Sequence, residues 1–235
     1  MRSEEAANAE QSPAAEQPAA DVPAWLRPVA TGINGVTSAK LSPRFPSPPS
    51  SARRAAVLML FGEGDGGPDL LITERAHTLR SHPGQLAFPG GKADPGDRDA
   101  VDTAMREARE EVGLDPSCVA VVGTLPDLWV PPSNSAVTTI VGWWHTPAPV
   151  GVVDEGEVAS VLRVPVSHLL DPVNRFTVEV TGGWKGPAFE VGDGLVLWGF
   201  TAGIVSRLFE HVGWERPWDH SRVRPRPNPP APDGS

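Results

Sequence analysis

The sequence predicts an α/β domain set between two proline-rich ends. Three observations carry this. Apolar runs of strand length recur from residue 55 onward. One stretch, 97–112, has the apolar spacing of an amphipathic helix. The prolines gather at the ends: of 27, eight lie in residues 1–54 and six in 213–235, which leaves the middle ordinary in composition. Residues 1–54 and 213–235 are therefore expected to be disordered, since such segments bury too little apolar surface to offset the entropy of ordering. The domain is expected over 55–212. Trp25, Leu26 and Val29 are the exception in the first tail, a set suited to docking on the domain as a short helix.

The elements follow in order. Residues 55–61 (A-A-V-L-M-L-F) form a continuous apolar strand, and 69–75 form a second, joined to the first by a glycine-rich turn. Pro83-Gly84 and Pro89-Gly90-Gly91 punctuate the next loop. In 97–112, Val101, Met105, Ala108 and Val112 make one stripe, with Asp97 placed as N-cap and Gly113 as C-cap. On that spacing Glu107, Glu110 and Glu111 project away from the stripe. Residues 119–125, 136–145, 157–164, 175–180 and 195–198 read as strands, with a loop over 126–135. Residues 166–170 read as a helical turn, and 199–212 as a helix.

The bulk numbers narrow the function. A chain of 235 residues can build one domain with a real core. Its net charge of -9 argues against a nucleic-acid or anionic-membrane partner, although a local basic patch can still hold a phosphorylated small molecule. Cys118 is the single cysteine, so neither an intrachain disulfide nor a cysteine zinc cluster is expected, and a reducing, cytoplasmic setting is the simplest reading. No apolar signal region and no run of 18 apolar residues is present, so neither secretion nor a transmembrane helix is expected.

The chemistry concentrates in 71–114. Its second half reads R-E-x-x-E-E-x-G at Arg106, Glu107, Glu110, Glu111 and Gly113, after the paired glycines. A charge run on a helix is most often a solvated face. Here, though, a glycine-rich loop lets backbone approach a bound group, and the carboxylates suit a hard cation such as Mg²⁺ or Mn²⁺. Such a cation clamps phosphate oxygens and activates water.

These residues resemble the Nudix box, G-x5-E-x7-R-E-U-x-E-E-x-G-U, where U is aliphatic. Arg106, Glu107, Ala108, Glu110, Glu111, Gly113 and Leu114 match its second half. The first half departs: Asp97 stands for its Glu, and eight residues rather than seven separate it from Arg106. The preceding segment is similar to the coenzyme A subgroup pattern L-L-T-x-R-[SA]-x3-R-x3-G-x3-F-P-G-G, matched by Leu71, Ile72, Thr73, Arg75, Ala76, Arg80, Gly84, Phe88, Pro89, Gly90 and Gly91. The longer, Asp-containing spacer also fits that subgroup. The resemblance covers about 55–212.

The resemblance implies a Nudix α/β/α sandwich with a mixed β-sheet between helices. It implies Mg²⁺- or Mn²⁺-dependent hydrolysis of the pyrophosphate of coenzyme A or acyl-CoA, giving 3',5'-ADP and 4'-phosphopantetheine or its acylated form. Glu107 and Glu111 would be the main metal ligands, Glu110 a ligand or base, and a carbonyl of Gly90 or Gly91 a further ligand. Glu157 matches an acidic position of the subgroup, as a fourth ligand or general base, or else as a solvated loop residue. Arg75 and Arg80, with Gly84 and Phe88 of the same motif, would bind substrate; exposed charges at a strand end are the alternative for the two arginines. Arg106 is read as orienting a glutamate. Many members dimerise, so a homodimer is carried as an expectation. Two other readings stay open: a Nudix pyrophosphatase for ADP-ribose or another nucleoside diphosphate derivative, and a Nudix-fold binding module without catalysis, against which the intact Glu107, Glu110 and Glu111 argue.

Overall fold

The structure is a computed structural model that describes residues 21–41, 48–180 and 182–227. In chain order its elements are α1 (Arg27–Gly32), α2 (Ser38–Leu41), β1 (Arg53–Gly64), β2 (Gly67–Arg75), β3 (Leu86–Ala87), β4 (Gly90–Lys92), α3 (Ala100–Val112), β5 (Val119–Thr124), β6 (Leu128–Val130), β7 (Ser135–Trp144), β8 (Val158–Pro165), α4 (Val166–Leu170), β9 (Arg175–Val180), β10 (Trp184–Gly192), β11 (Leu195–Leu197), α5 (Gly199–His211) and β12 (Val223–Pro225).

β1 is the centre of a mixed sheet. It runs parallel to β7 from Arg53 to Phe61 and antiparallel to β2 and β4. β8 and β3 extend the sheet beyond β2, while β5 and β6 pair with β7. Side chains of a strand alternate between faces, and β1 uses both. Ala56, Leu58 and Leu60 pack with Ala104, Ala108 and Val112 of α3. Met59 and Phe61 point the other way, into a cluster with Ala202, Val205, Leu208 and Phe209 of α5. One helix on each face of a mixed sheet is the expected α/β/α sandwich. It also explains why 55–61 is apolar throughout rather than alternating: both faces are covered.

The folded unit reaches past the expected limits of 55 and 212 on both sides. Before it, Leu26 and Val29 are fully buried and Ile33 and Leu41 nearly so, all in the α5-side cluster. Trp25 stands edge-on to Phe61 and Trp143, with ring centroids 6.2 and 5.6 Å apart. After it, β12 pairs in parallel with β9, and Arg175, fully buried, holds Glu215 at 2.7 Å. Both segments are polar or proline-rich in composition, and a few anchors dock them, so composition gives a poor estimate of their order. The remaining tail residues, 1–20, 42–47 and 228–235, lie outside the described residues.

Besides β12, four strands fall outside the expected elements, β3 and β4 within the loop that follows β2. β6 lies within the stretch read as a loop, and β10 supplies the middle of a second sheet, β11-β10-β9-β12. β6 runs directly into Pro131-Pro132, and β10 carries Gly186-Pro187 and ends in Gly192, which masks strand periodicity. Among the described residues no helix is long and apolar enough to cross a membrane.

The N-terminal anchor is testable. Leu26→Ala should cost about 2–5 kcal/mol, the range for truncating a buried leucine, read as a lower urea midpoint. A change below about 0.5 kcal/mol, the level of an ordinary surface substitution, would show that this segment is not docked.

Candidate active site

The site begins with two glycines. β4 pairs antiparallel with Ala55–Val57 of β1, and Gly90 adopts φ 152° there. A Cβ on Gly90 would fall 2.4 Å from the Ala56 carbonyl oxygen. A Cβ on Gly91 would fall 2.5 Å from the carboxyl carbon of Glu107. Only glycine lets the strand and the helix approach this closely.

α3 is presented by its caps. Asp99, not Asp97, is the N-cap, its carboxylate accepting the Asp102 N–H at 2.9 Å. Gly113 closes the helix in the left-handed conformation, φ 71°. Asp97 lies further back and takes a different task. Its two carboxylate oxygens accept from Arg106 Nε and Nη2, each at 3.0 Å, and Oδ2 also accepts from Thr103 Oγ1. These bonds hold the Asp97 carboxyl well below the usual carboxylate range, with the Arg106 pairing the largest cause.

Arg106 is the hub of this end of the site. Besides Asp97 it donates to the Lys92 carbonyl at 2.9 Å and pairs with Glu107 Oε1 at 3.0 Å. Its Nη1 meets Glu110 Oε2 at 3.0 Å. A fork of planar donors bonded on several sides fixes the neighbouring Glu107 carboxylate.

Three carboxylates converge: Glu107, Glu111 and Glu157 each offer an oxygen, and these oxygens lie within 4.8 Å of one another. Gly90 N–H donates to Glu111 Oε2 at 3.1 Å. Glu110 does not join them. At about 100° per residue, Glu107 and Glu111 flank the same side of α3, and Glu110 turns away. Its side chain is 59% exposed and bound to Arg106. The structure therefore does not bring Glu110, expected as a metal ligand or base, together with the other three. The buried face of α3 is also shifted from the expected stripe, for it holds Ala104, Ala108, Glu111 and Val112. Glu111 is thus only 4% exposed rather than on the far side.

Burial sets the electrostatics. It pushes the Glu111 carboxyl up to about 8, and Glu107 and Glu157 nearby push the same way, while the Gly90 N–H and Arg75 oppose them. Glu107 is also raised, chiefly by burial, with Arg106 opposing. Three close acids of this kind resist ionising together unless a cation joins them. All three donors are hard oxygens, and the missing Cβ of Gly91 keeps the Glu107 carboxylate against the loop. This set fits a divalent cation of the Mg²⁺ class.

The motif loop ends here too. Arg75, at the end of β2, is near enough to Glu111 to favour its ionised form. Gly84, at φ 66°, donates its N–H to the Arg75 carbonyl at 3.0 Å, which folds the loop back on that arginine. Arg80 is exposed on the loop. Phe88, expected to contact substrate, is 3% exposed and belongs to the α5-side core.

Comparison with known proteins agrees with this geometry. A family model described as the NUDIX domain matches residues 51–179. The uncharacterised Nudix hydrolase NudL of Citrobacter koseri is 34% identical over 173 residues, covering 68% of this chain and 84% of its own. Nudix hydrolase 22, chloroplastic, of Arabidopsis thaliana is 37% identical over 175 residues, covering 70% of this chain and 57% of its own.

Two outcomes are expected. Gly91→Ala should displace the Glu107 carboxylate and weaken Mn²⁺ binding by at least about 10-fold, measured by titration calorimetry; unchanged affinity would contradict the close approach. The second concerns pH. A carboxyl whose folded pKa lies above its unfolded value keeps its proton longer in the native state, so raising pH costs stability between the two values. For Glu111 that window runs from 4.5 to about 8. In metal-free protein, the thermal midpoint of Glu111→Gln minus that of the wild type should therefore increase from pH 5 to pH 8. A difference independent of pH would contradict the burial of an ionisable group at this position.

Proposed function

The chain belongs to the Nudix family as a pyrophosphohydrolase, and on that premise we propose that it hydrolyses the diphosphate of coenzyme A or an acyl-CoA. The products would be 3',5'-ADP and 4'-phosphopantetheine or its acylated form. The observation that carries this is the coenzyme A motif of 71–91 lying folded against the carboxylate cluster, with Gly84 bonded to Arg75 and Ala76 N–H donating to the Glu157 carbonyl at 2.8 Å. The adjacency of this segment to the acids supports the reading.

In this reading Glu107, Glu111 and Glu157 hold Mg²⁺ or Mn²⁺, with a carbonyl of Gly91 as a further donor. Held there, such a cation would supply charge to offset the diphosphate and would lower the pKa of a water. Arg106 keeps the Glu107 carboxylate aimed at the cluster, and Gly90 N–H does the same for Glu111. The alternative role for Glu157, which is exposed, is that of general base, taking the proton of the attacking water. Arg75 and Arg80 supply donors for phosphate oxygens. Arg80 lies further along the loop than Arg75 and is given the 3'-phosphate. The substrate is a small molecule, and the setting is taken as cytoplasmic. A homodimer is compatible with this reading and not required by it.

Incubation with coenzyme A and Mn²⁺ should yield 3',5'-ADP and 4'-phosphopantetheine by chromatography. Faster turnover of ADP-ribose at equal concentration would overturn the substrate assignment and favour the second reading. Arg80→Ala should raise KM for coenzyme A by roughly 10-fold, the size of one charge-assisted contact, and leave KM for 3'-dephospho-CoA nearly unchanged. An equal rise for both would remove the 3'-phosphate from Arg80.

A further inference from the structure

Glu157 differs from its two partners in how it is held. Glu107 and Glu111 sit on a helix, and packing and hydrogen bonds fix both. Glu157 is exposed, precedes β8, and has neighbours in sequence (Asp154, Glu155 and Gly156) that are exposed as well. Packing does not locate it, so the loop backbone must.

That backbone is tied at three places. Val153 N–H donates to the Glu111 carbonyl at 3.0 Å, and Gly151 N–H to the Val112 carbonyl at 3.2 Å. These bonds staple the loop to the last turn of α3, beside one of the other two carboxylates. At the far end, the Glu157 carbonyl accepts from Ala76 N–H at the end of β2. Between the staples Asp154 makes a compact turn. Its Oδ1 accepts Gly156 N–H at 2.8 Å, and its carbonyl accepts from Glu157 N–H at 3.1 Å and Val158 N–H at 2.9 Å. An aspartate side chain that bonds the amide two residues on closes the chain on itself.

Resting on the metal site read above, we infer that Asp154 is a positioning residue for Glu157. It sets the carboxylate among the other two by hydrogen bonding and not by its charge. Asparagine keeps the accepting oxygen and lacks the charge; alanine lacks both. The two substitutions therefore separate geometry from electrostatics.

The test uses the full chain and Mn²⁺ alone, with binding followed by electron paramagnetic resonance and folding by circular dichroism. Asp154→Ala should weaken Mn²⁺ binding by roughly 10-fold, the lower range for losing a partner that orients a ligand. Asp154→Asn should bind within about two-fold of wild type. Wild-type affinity in Asp154→Ala, or equal weakening in both variants, overturns the inference. Glu157→Gln is the control. If it weakens Mn²⁺ binding while Asp154→Ala does not, the positioning role alone fails. If Glu157→Gln leaves binding unchanged, the assignment of Glu157 to the metal site fails and the role of Asp154 with it.

Discussion

Three carboxylates within 4.8 Å of one another, one of them nearly inaccessible to water, are an unfavourable arrangement in a protein left to itself. The rest of the site is organised around that repulsion. Burial is the largest cause of the raised Glu111 pKa, and the nearby Glu107 and Glu157 carboxylates add to it. Arg106 offsets part of the charge at Glu107, and Arg75 part of it at Glu111.

The sandwich supplies the acids from separate elements. α3 carries Glu107 and Glu111 four residues apart, and the head of β8 carries Glu157. β4 is the spacer that sets their separation, because the absent side chains of Gly90 and Gly91 fix how near the helix lies to the sheet. β1 holds β4 on one side and β7 along its other edge, so the centre of the core and the floor of the site are the same strand. The helix and sheet are joined by large buried surfaces, whereas the loop bearing Glu157 is joined by a handful of backbone bonds. The two halves of the cluster therefore differ in how they are held: one by packing, the other by backbone hydrogen bonds.

Much of this was legible beforehand, and the limits have physical causes. The strand at 55–61 and the helix ending at Gly113 have strong periodicity and a capping glycine, and both are present with ends moved by a few residues. The glutamate spacing pointed to a cation site, but treating the helix as one apolar stripe hid the position of Glu111 on its buried flank. A helix can bury a carboxylate when small residues such as Ala104 and Ala108 draw it close to a sheet. Asp97 was read from its place ahead of the helix, where two aspartates compete for the cap, and the decision rests on a tertiary contact with Arg106. Phe88 belonged to a motif, and motif membership does not say which side chains face solvent. Asp154 left a local signature, Asp-x-Gly, that becomes meaningful only once Glu157 is seen beside α3. The ordered parts of the ends were missed because a few anchors, Leu26 and Val29 before the domain and the Arg175 pairing after it, outweigh a polar composition.

The central claim is that the cation site consists of Glu107, Glu111 and Glu157, with Glu110 outside it. Mn²⁺ affinity of the four single glutamate-to-glutamine variants, measured by titration calorimetry at one pH, tests it most directly. Glu107→Gln, Glu111→Gln and Glu157→Gln should each bind at least about 10-fold more weakly than wild type. Glu110→Gln should stay within about two-fold, as expected of a side chain that meets Arg106 and solvent. Weakening in Glu110→Gln equal to that in Glu107→Gln, or none in Glu157→Gln, would contradict the claim.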